Sequence, residues 1–284
     1  MNDMLISAPD LQRELQGPNP PLVLDCRFEL GKPEAGRTAY AQGHLPGALY
    51  LHLDEDLSAP LHDAAGRFRG RHPLPTREEF AARLAARGWQ QGRAVVAYDS
   101  SGGMYAVRLW WMLRWLGETR VRLLDGGLPA WQAAGLPLQT ESPACSALPP
   151  PPQLAAPGMA TIDAAGLLAQ LGRQPLVDAR AAERYRGEVE PLDRQAGHIP
   201  GALNRPFALN LQADGRFKPT EQLRAEWQAL LGSAPGEVLH QCGSGVTACH
   251  NLFSQALAGL GEGRLYPGSW SEWCADPSRP LARS

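Results

Sequence analysis

Gly43-His-Leu-Pro-Gly-Ala-Leu49 returns later in the chain as Gly197-His-Ile-Pro-Gly-Ala-Leu203, with one conservative change. Each copy is preceded by a short apolar run ending in aspartate: Leu22-Val-Leu-Asp25 before the first, Leu176-Val-Asp178 before the second. Each is followed by two further matched blocks. Ala94-Val-Val-Ala-Tyr-Asp99 pairs with Glu237-Val-Leu-His-Gln-Cys242, and Leu123-Leu-Asp-Gly-Gly-Leu-Pro-Ala-Trp131 pairs with Leu265-Tyr-Pro-Gly-Ser-Trp-Ser-Glu-Trp273. Matched blocks in the same order define an internal repeat, so the chain is one plan used twice.

Between the copies, the stretch 142–157 carries six prolines and reads as a stiff, extended spacer. The expected organisation is therefore a first domain over 1–141, a Pro-rich linker over 142–157 and a second domain over 158–284. Within each domain short apolar runs alternate with helical patterns, which predicts a parallel sheet with helices on both faces, an α/β fold. Thr76 with Glu79 forms a capping box before a helix stopped near Gly88, and Val107–Leu116 and Thr161–Leu171 predict further helices. The Trp110, Trp111 and Trp115 trio reads as packing between elements. In open α/β sheets ligands sit at the carboxyl ends of strands, which puts Asp99 and Cys242 on the functional edge. The copies differ there.

Bulk composition narrows the function. A 284-residue chain with 44% hydrophobic and 20% charged residues can bury ordinary cores, and a net charge of −2 argues against nucleic acid as a partner. The amino-terminal residues lack a basic region followed by an apolar run, and no apolar stretch approaches the roughly 20 residues of a membrane span. Five scattered cysteines fit free thiols in a reducing compartment, so cytoplasm is the expected location. Neither a zinc-finger spacing nor a Gly-rich nucleotide loop is present, so neither metal nor cofactor is expected.

The chemistry concentrates in Val238-Leu-His-Gln-Cys-Gly-Ser-Gly-Val-Thr-Ala-Cys-His-Asn-Leu-Phe253, which reads as strand, tight loop, helix. Gly243 and Gly245 allow successive N–H groups to face one anion, and the helix starting near Val246 or Thr247 adds its positive end. Both effects favour a thiolate at Cys242, a nucleophile that can also carry an anionic persulfide. A phosphatase loop would place an arginine at position 248, where Ala248 stands, so phosphate chemistry is disfavoured. His44 and His198, and likewise Asp25 and Asp178, occupy the same places in both copies and are read as structural. Cys249 is read as core.

The loop Cys242-Gly-Ser-Gly-Val-Thr-Ala248, with the repeated Gly-His-Leu/Ile-Pro-Gly-Ala blocks and Gly-Ser-Trp at 268–270, resembles the 3-mercaptopyruvate sulfurtransferases, two-domain members of the rhodanese family. The resemblance covers nearly the whole chain. It implies two tandem rhodanese-like domains, the first catalytically silent, and a sulfur atom moved from 3-mercaptopyruvate through a Cys242 persulfide. The sulfur would pass to a thiol, such as a thioredoxin-like protein, or to cyanide. Uncharged Gly243 and Ser244 favour mercaptopyruvate; thiosulfate-preferring relatives carry Arg and Lys there. The resemblance further implies that Arg184 clamps the substrate carboxylate and that Tyr105 lines the pocket; Gly243, Gly245, Val246 and Thr247, which cradle the sulfur anion, are expected among the substrate-binding residues. A second family arginine falls near Leu192, leaving nearby Arg194 as the candidate. Ser244, His72 and Asp54 match a proposed Ser–His–Asp relay. A thiosulfate-specific sulfurtransferase and an inert rhodanese-type binding module are the alternatives.

Overall fold

In the computed structural model, residues 4–143, 154–232 and 237–284 are described; most of the expected linker, with Cys145, lies outside them. The chain forms two compact units. In the first, β1 (Leu5–Ile6), α1 (Ala8–Leu15), β2 (Leu22–Asp25), α2 (Glu34–Gln42), β3 (Leu49–Tyr50), α3 (Arg77–Ala86), β4 (Val95–Tyr98), α4 (Ala106–Trp115), β5 (Val121–Leu124) and α5 (Gly127–Ala133) follow in turn. The five strands are all parallel, in the order β1-β5-β4-β2-β3. In the second, β6 (Ala160–Thr161), α6 (Ala164–Gln170), β7 (Leu176–Asp178), α7 (Ala182–Arg186), β8 (Leu203–Asn204), α8 (Thr220–Leu231), β9 (Leu239–Gln241), α9 (Ala248–Leu257), β10 (Arg264–Leu265) and α10 (Ser269–Trp273) repeat the scheme. Their order, β6-β10-β9-β7-β8, is the same permutation, again all parallel. The repeat read from the sequence is a repeat of topology.

The units are not contiguous in sequence. Residues 59–74 belong to the second unit and 213–217 to the first. His72, expected on the amino-terminal domain, is therefore a residue of the second unit. Side-chain bonds from Arg71 to Asp193 and between His72 and Ser244 bind its segment there. The Phe217 N–H, bonded to the Asp125 carboxylate at 3.0 Å, does the converse.

Local signals produced the expected helices with one shift. Thr76 accepts from the Glu79 N–H while the Glu79 carboxylate accepts from the Thr76 N–H, a complete capping box. The helix expected from Thr161 instead begins at Ala164. Asp163 is its cap, taking the Gly166 N–H at 2.7 Å, because Thr161 is drawn into β6 beside β10. Trp110 and Trp111 are fully buried, and Trp111 stacks on Trp115. Among the described residues no helix is long and apolar enough to cross a membrane.

The shared aspartates and histidines hold the frame. Asp25 takes a bidentate bond from Arg27, which also donates to Gly43 O; Asp178, Arg180 and Gly197 O repeat the arrangement. His44 stacks on Tyr40 and bonds its carbonyl through Nδ1, as His198 does with Tyr185. Two copies of one bond set, in a unit with the cysteine and a unit without, mark these residues as structural.

Candidate active site

Cys242 follows the last residue of β9, the central strand of its sheet, and a turn of three residues leads towards α9. Gly245 has φ +78°, and a Cβ there would stand 2.4 Å from Pro267 O, so only glycine closes this turn. The closure brings the Gly245 N–H onto Cys242 Sγ at 3.1 Å. Buried Val246 and half-buried Thr247, the latter at the N-cap position of α9, carry the chain into the helix, whose amino-terminal end faces the same region with its positive pole. The arrangement stabilises a negatively charged sulfur. Burial pushes the Cys26 thiol well up, with Asp25 adding to it, and raises that of Cys274. Cys249 is buried and points its Sγ at Gly245 O, 3.4 Å away. Cys26, Cys242, Cys249 and Cys274 are all free thiols.

A second turn supports the first. Ser269 sits at φ +54°, the one non-glycine with positive φ among the described residues. Its hydroxyl accepts the Cys242 N–H at 3.1 Å and donates to Tyr266 O at 2.9 Å, while the Trp270 N–H bonds Cys242 O. A strained residue that holds the backbone of the nucleophile is the kind of feature found at functional sites. The sequence reading missed Ser269, although its place in the repeat, opposite Gly127, carried the signal.

Around the loop, Ser244 Oγ and His72 Nδ1 share a hydrogen bond of 2.7 Å, and both residues are buried. Arg184 donates to Glu190 at 2.6 Å and to Asp193 at 3.3 Å. Arg71 donates through Nε and Nη2 to both oxygens of the same Asp193, at 3.1 and 3.3 Å. Both guanidiniums close on Gly243: a Cβ there would lie 2.8 Å from Arg71 Nη2 and 3.4 Å from Arg184 Nη1. Cys242 itself is 1% exposed, whereas the two arginine side chains keep about a fifth of their surface. Arg194 is exposed and lines a cavity of 350 Å³ beside Arg71, Asp193 and Leu192. Arg71 stands next to His72 in the sequence, and only the position of Gly243 in space singles it out.

Two of the expected site residues, Asp54 and Tyr105, lie on the first unit. Asp54 is exposed after β3 and donates its N–H to His52 Nδ1. Tyr105 is buried at the start of α4, with its ring edge-on to Phe28; burial, and then the nearby Asp99, push its phenol up to about 12. Asp99, the counterpart of Cys242, accepts four backbone N–H groups, from Ser101, Gly103, Tyr105 and Ala106. Glu34, His52 and Glu55 come close enough to suggest a metal, but backbone groups engage both ring nitrogens of His52.

Tandem parallel sheets, each with the β1-β5-β4-β2-β3 order, and a cysteine in an anion-binding turn define a class: the chain belongs to the family of rhodanese-like domains, which matches residues 7–134 and 163–276. Over 98% of its length, and 97% of the relative's, it is 51% identical to a Pseudomonas aeruginosa protein named "Probable 3-mercaptopyruvate sulfurtransferase". It is 42% identical to the Mycobacterium tuberculosis "Putative thiosulfate sulfurtransferase SseB", over 99% of this chain and 97% of that one. The crystal structure of Escherichia coli SseA, from the 3-mercaptopyruvate sulfotransferases, superposes with TM-score 0.78 at 30% identity, covering 94% of this chain and 98% of that one.

Proposed function

We propose that the protein is a sulfurtransferase that takes sulfur from 3-mercaptopyruvate on Cys242. The observation that carries this reading is the Gly245 N–H on Cys242 Sγ, in a loop whose next residues, Gly243 and Ser244, bear no charge of their own. The Cys242 thiolate attacks the substrate sulfur, and the sulfur–carbon bond breaks with its electron pair left on carbon. The enolate so formed takes up the proton that the substrate thiol gives up, yielding pyruvate and a Cys242 persulfide anion. Ser244 and His72, joined at 2.7 Å, are placed to relay that proton. Asp54 in the relay and Tyr105 in the pocket rest on family resemblance alone.

A thiol or cyanide then takes the outer sulfur and restores the thiolate; a reduced thioredoxin-like protein is the acceptor of this kind expected in a cell. The free thiols of Cys26, Cys242, Cys249 and Cys274 among the described residues support a cytoplasmic location. A second donor, thiosulfate, is favoured by one observation: two guanidiniums beside the loop also suit a small dianion. The 42% identical relative bears a thiosulfate name. Treating the protein with each donor and weighing it decides between them. A +32 mass increase on the Cys242 peptide, with one pyruvate released per site, is the expected result for mercaptopyruvate. No adduct from that donor ends the proposal, and a faster reaction with thiosulfate reverses the order of donors.

A further inference from the structure

We infer that the 350 Å³ cavity of the second unit is the sulfur-acceptor site, and that it takes a low-molecular-weight thiol bearing a carboxylate, which Arg194 anchors. The inference rests on the sulfurtransferase reading above and supplies the class of its second substrate. Three observations carry it. First, the cavity adjoins the cysteine loop. Arg71 lines it, and Arg71 Nη2 also lies 2.8 Å from where a Cβ on Gly243 would stand. Ser271 lines it too, and its backbone N–H bonds Gly243 O at 3.0 Å. The wall belongs to the second unit, and the volume sits at the low end of small-molecule sites, roughly 300–1,000 Å³.

Second, the cavity carries an uncommitted positive charge. Two guanidiniums, Arg71 and Arg194, stand against one carboxylate, Asp193. Asp193 is already bonded to Arg71 through Nε and Nη2, and to Arg184 at 3.3 Å. Arg194 is exposed and has no ion-pair partner among the described residues. A carboxylate is the planar anion that a free guanidinium fork matches best. The same cation favours thiolate over thiol in a bound acceptor, and the thiolate is the form that attacks sulfur. Phe68, Leu192 and Ala275 add an apolar wall for the short carbon chain between the two groups.

Third, an exposed anchor fits the second half of the reaction better than the first. Cys242 is 1% exposed, so a donor has to bring its sulfur to a buried Sγ. Once the persulfide has formed, the outer sulfur stands about 2 Å beyond Sγ along the new bond. An acceptor attacks that atom and need not reach Sγ itself, so its other end can rest on Arg194. The acceptor sulfur bonds the outer sulfur, and the bond to Cys242 Sγ breaks with its electron pair left on Sγ. The proton that the acceptor thiol gives up ends on the transferred sulfur, and no external oxidant or reductant enters.

The test loads wild type, Arg194→Gln, Arg194→Lys and Arg194→Glu with one sulfur from 3-mercaptopyruvate and removes the donor. Loss of the +32 mass is then timed with 3-mercaptopropionate, which is anionic, and with 2-mercaptoethanol, which is neutral. The ratio of the two rate constants should fall about 3- to 10-fold in Arg194→Gln, as for an exposed charge pair, and further in Arg194→Glu. Arg194→Lys should keep most of the wild-type ratio, and about 0.5 M salt should shrink it in both. An unchanged ratio in Arg194→Gln and Arg194→Glu overturns the inference. So does slower loading by the donor with normal transfer to the acceptor, which would make Arg194 a donor residue. A second readout needs no sulfur chemistry. In an NMR titration 3-(methylthio)propionate, whose sulfur cannot accept another, should bind wild type and weaken in Arg194→Gln by a similar factor; equal affinities overturn the inference. Absence of the +32 adduct in wild type would instead defeat the sulfurtransferase reading, and that titration would still decide whether the cavity holds a carboxylate on Arg194.

Discussion

The two units build the same cradle and fill it differently. In the first, the Asp99 carboxylate accepts four backbone N–H groups, so the anion site is occupied by the chain itself. Burial raises the pKa of that carboxyl, and the four donors oppose the rise. In the second, Cys242 accepts the Gly245 N–H, and its sulfur can take up a second one. The supporting turns differ in the same sense. Gly127 (φ +57°) makes the first without strain, while Ser269 (φ +54°) makes the second and spends its hydroxyl on the Cys242 N–H. In the strands, Ala97 and Tyr98 of β4 correspond to His240 and Gln241 of β9. The Tyr98 hydroxyl is satisfied by Asp25 and by the Leu45 N–H, whereas the buried Gln241 amide has no partner on either atom. The first unit is locally consistent, and the second carries strain and unpaired polarity beside its thiol.

Converting one copy into the other is the sharpest way to break this comparison. Cys242→Asp places the first unit's occupant in the second unit's cradle, and pyruvate release should fall on the order of 1000-fold or more, to background, with the fold kept. Any measurable turnover in that variant would contradict the single-thiol mechanism.

A smaller, pH-dependent difference comes from His240. Burial lowers its pKa to about 4, against the bond its Nε2–H donates to Gln255 Oε1, so it is neutral in the folded protein near neutral pH. Its unfolded form takes up a proton below about pH 6.5. The second unit should therefore keep full stability above that pH and lose about 3 kcal/mol as pH falls to about 4, with no further loss from this group below. The first unit, with Ala97 there, should not share the loss. Hydrogen exchange of β9 and β4 amides at pH 7 and pH 4 measures the contrast, and His240→Gln should remove it.

Asp99→Asn probes the opposite cradle. An amide offers one acceptor oxygen and turns donors towards N–H groups, so the first unit should lose about 2 kcal/mol while sulfur transfer at saturating donor stays near wild type. Denaturant unfolding alongside kcat reads both. The smallest effect is at Ser269. Ser269→Ala keeps the positive φ and loses the bond to Cys242, whereas Ser269→Gly loses the bond and relieves the strain. The glycine variant should be the more stable of the two by about 1 kcal/mol. Equal stabilities would show that the turn stores no strain.

Much of this was legible in advance for local reasons. The capping box at Thr76 and Glu79, and the loop around Cys242, depend on neighbours in sequence, and they formed where the pattern put them. Thr161 did not cap its helix because pairing with β10, far along the chain, outweighed its capping preference. His72 lies within the first rhodanese-like match of the sequence, yet its segment groups with the second unit, where it bonds Ser244 across 172 residues of chain. Arg71 was passed over, and its partner Asp193 is 122 residues away.

The sequence by itself determined that one α/β plan is used twice and which copy bears the thiol, because strand and helix periodicity and turn glycines are properties of short stretches. Tertiary structure alone decided which cations face Gly243, which serine is held at positive φ, and that 59–74 joins the second unit. Those outcomes are set by contacts between distant segments, and their free energy exists only once the chain has brought the segments together.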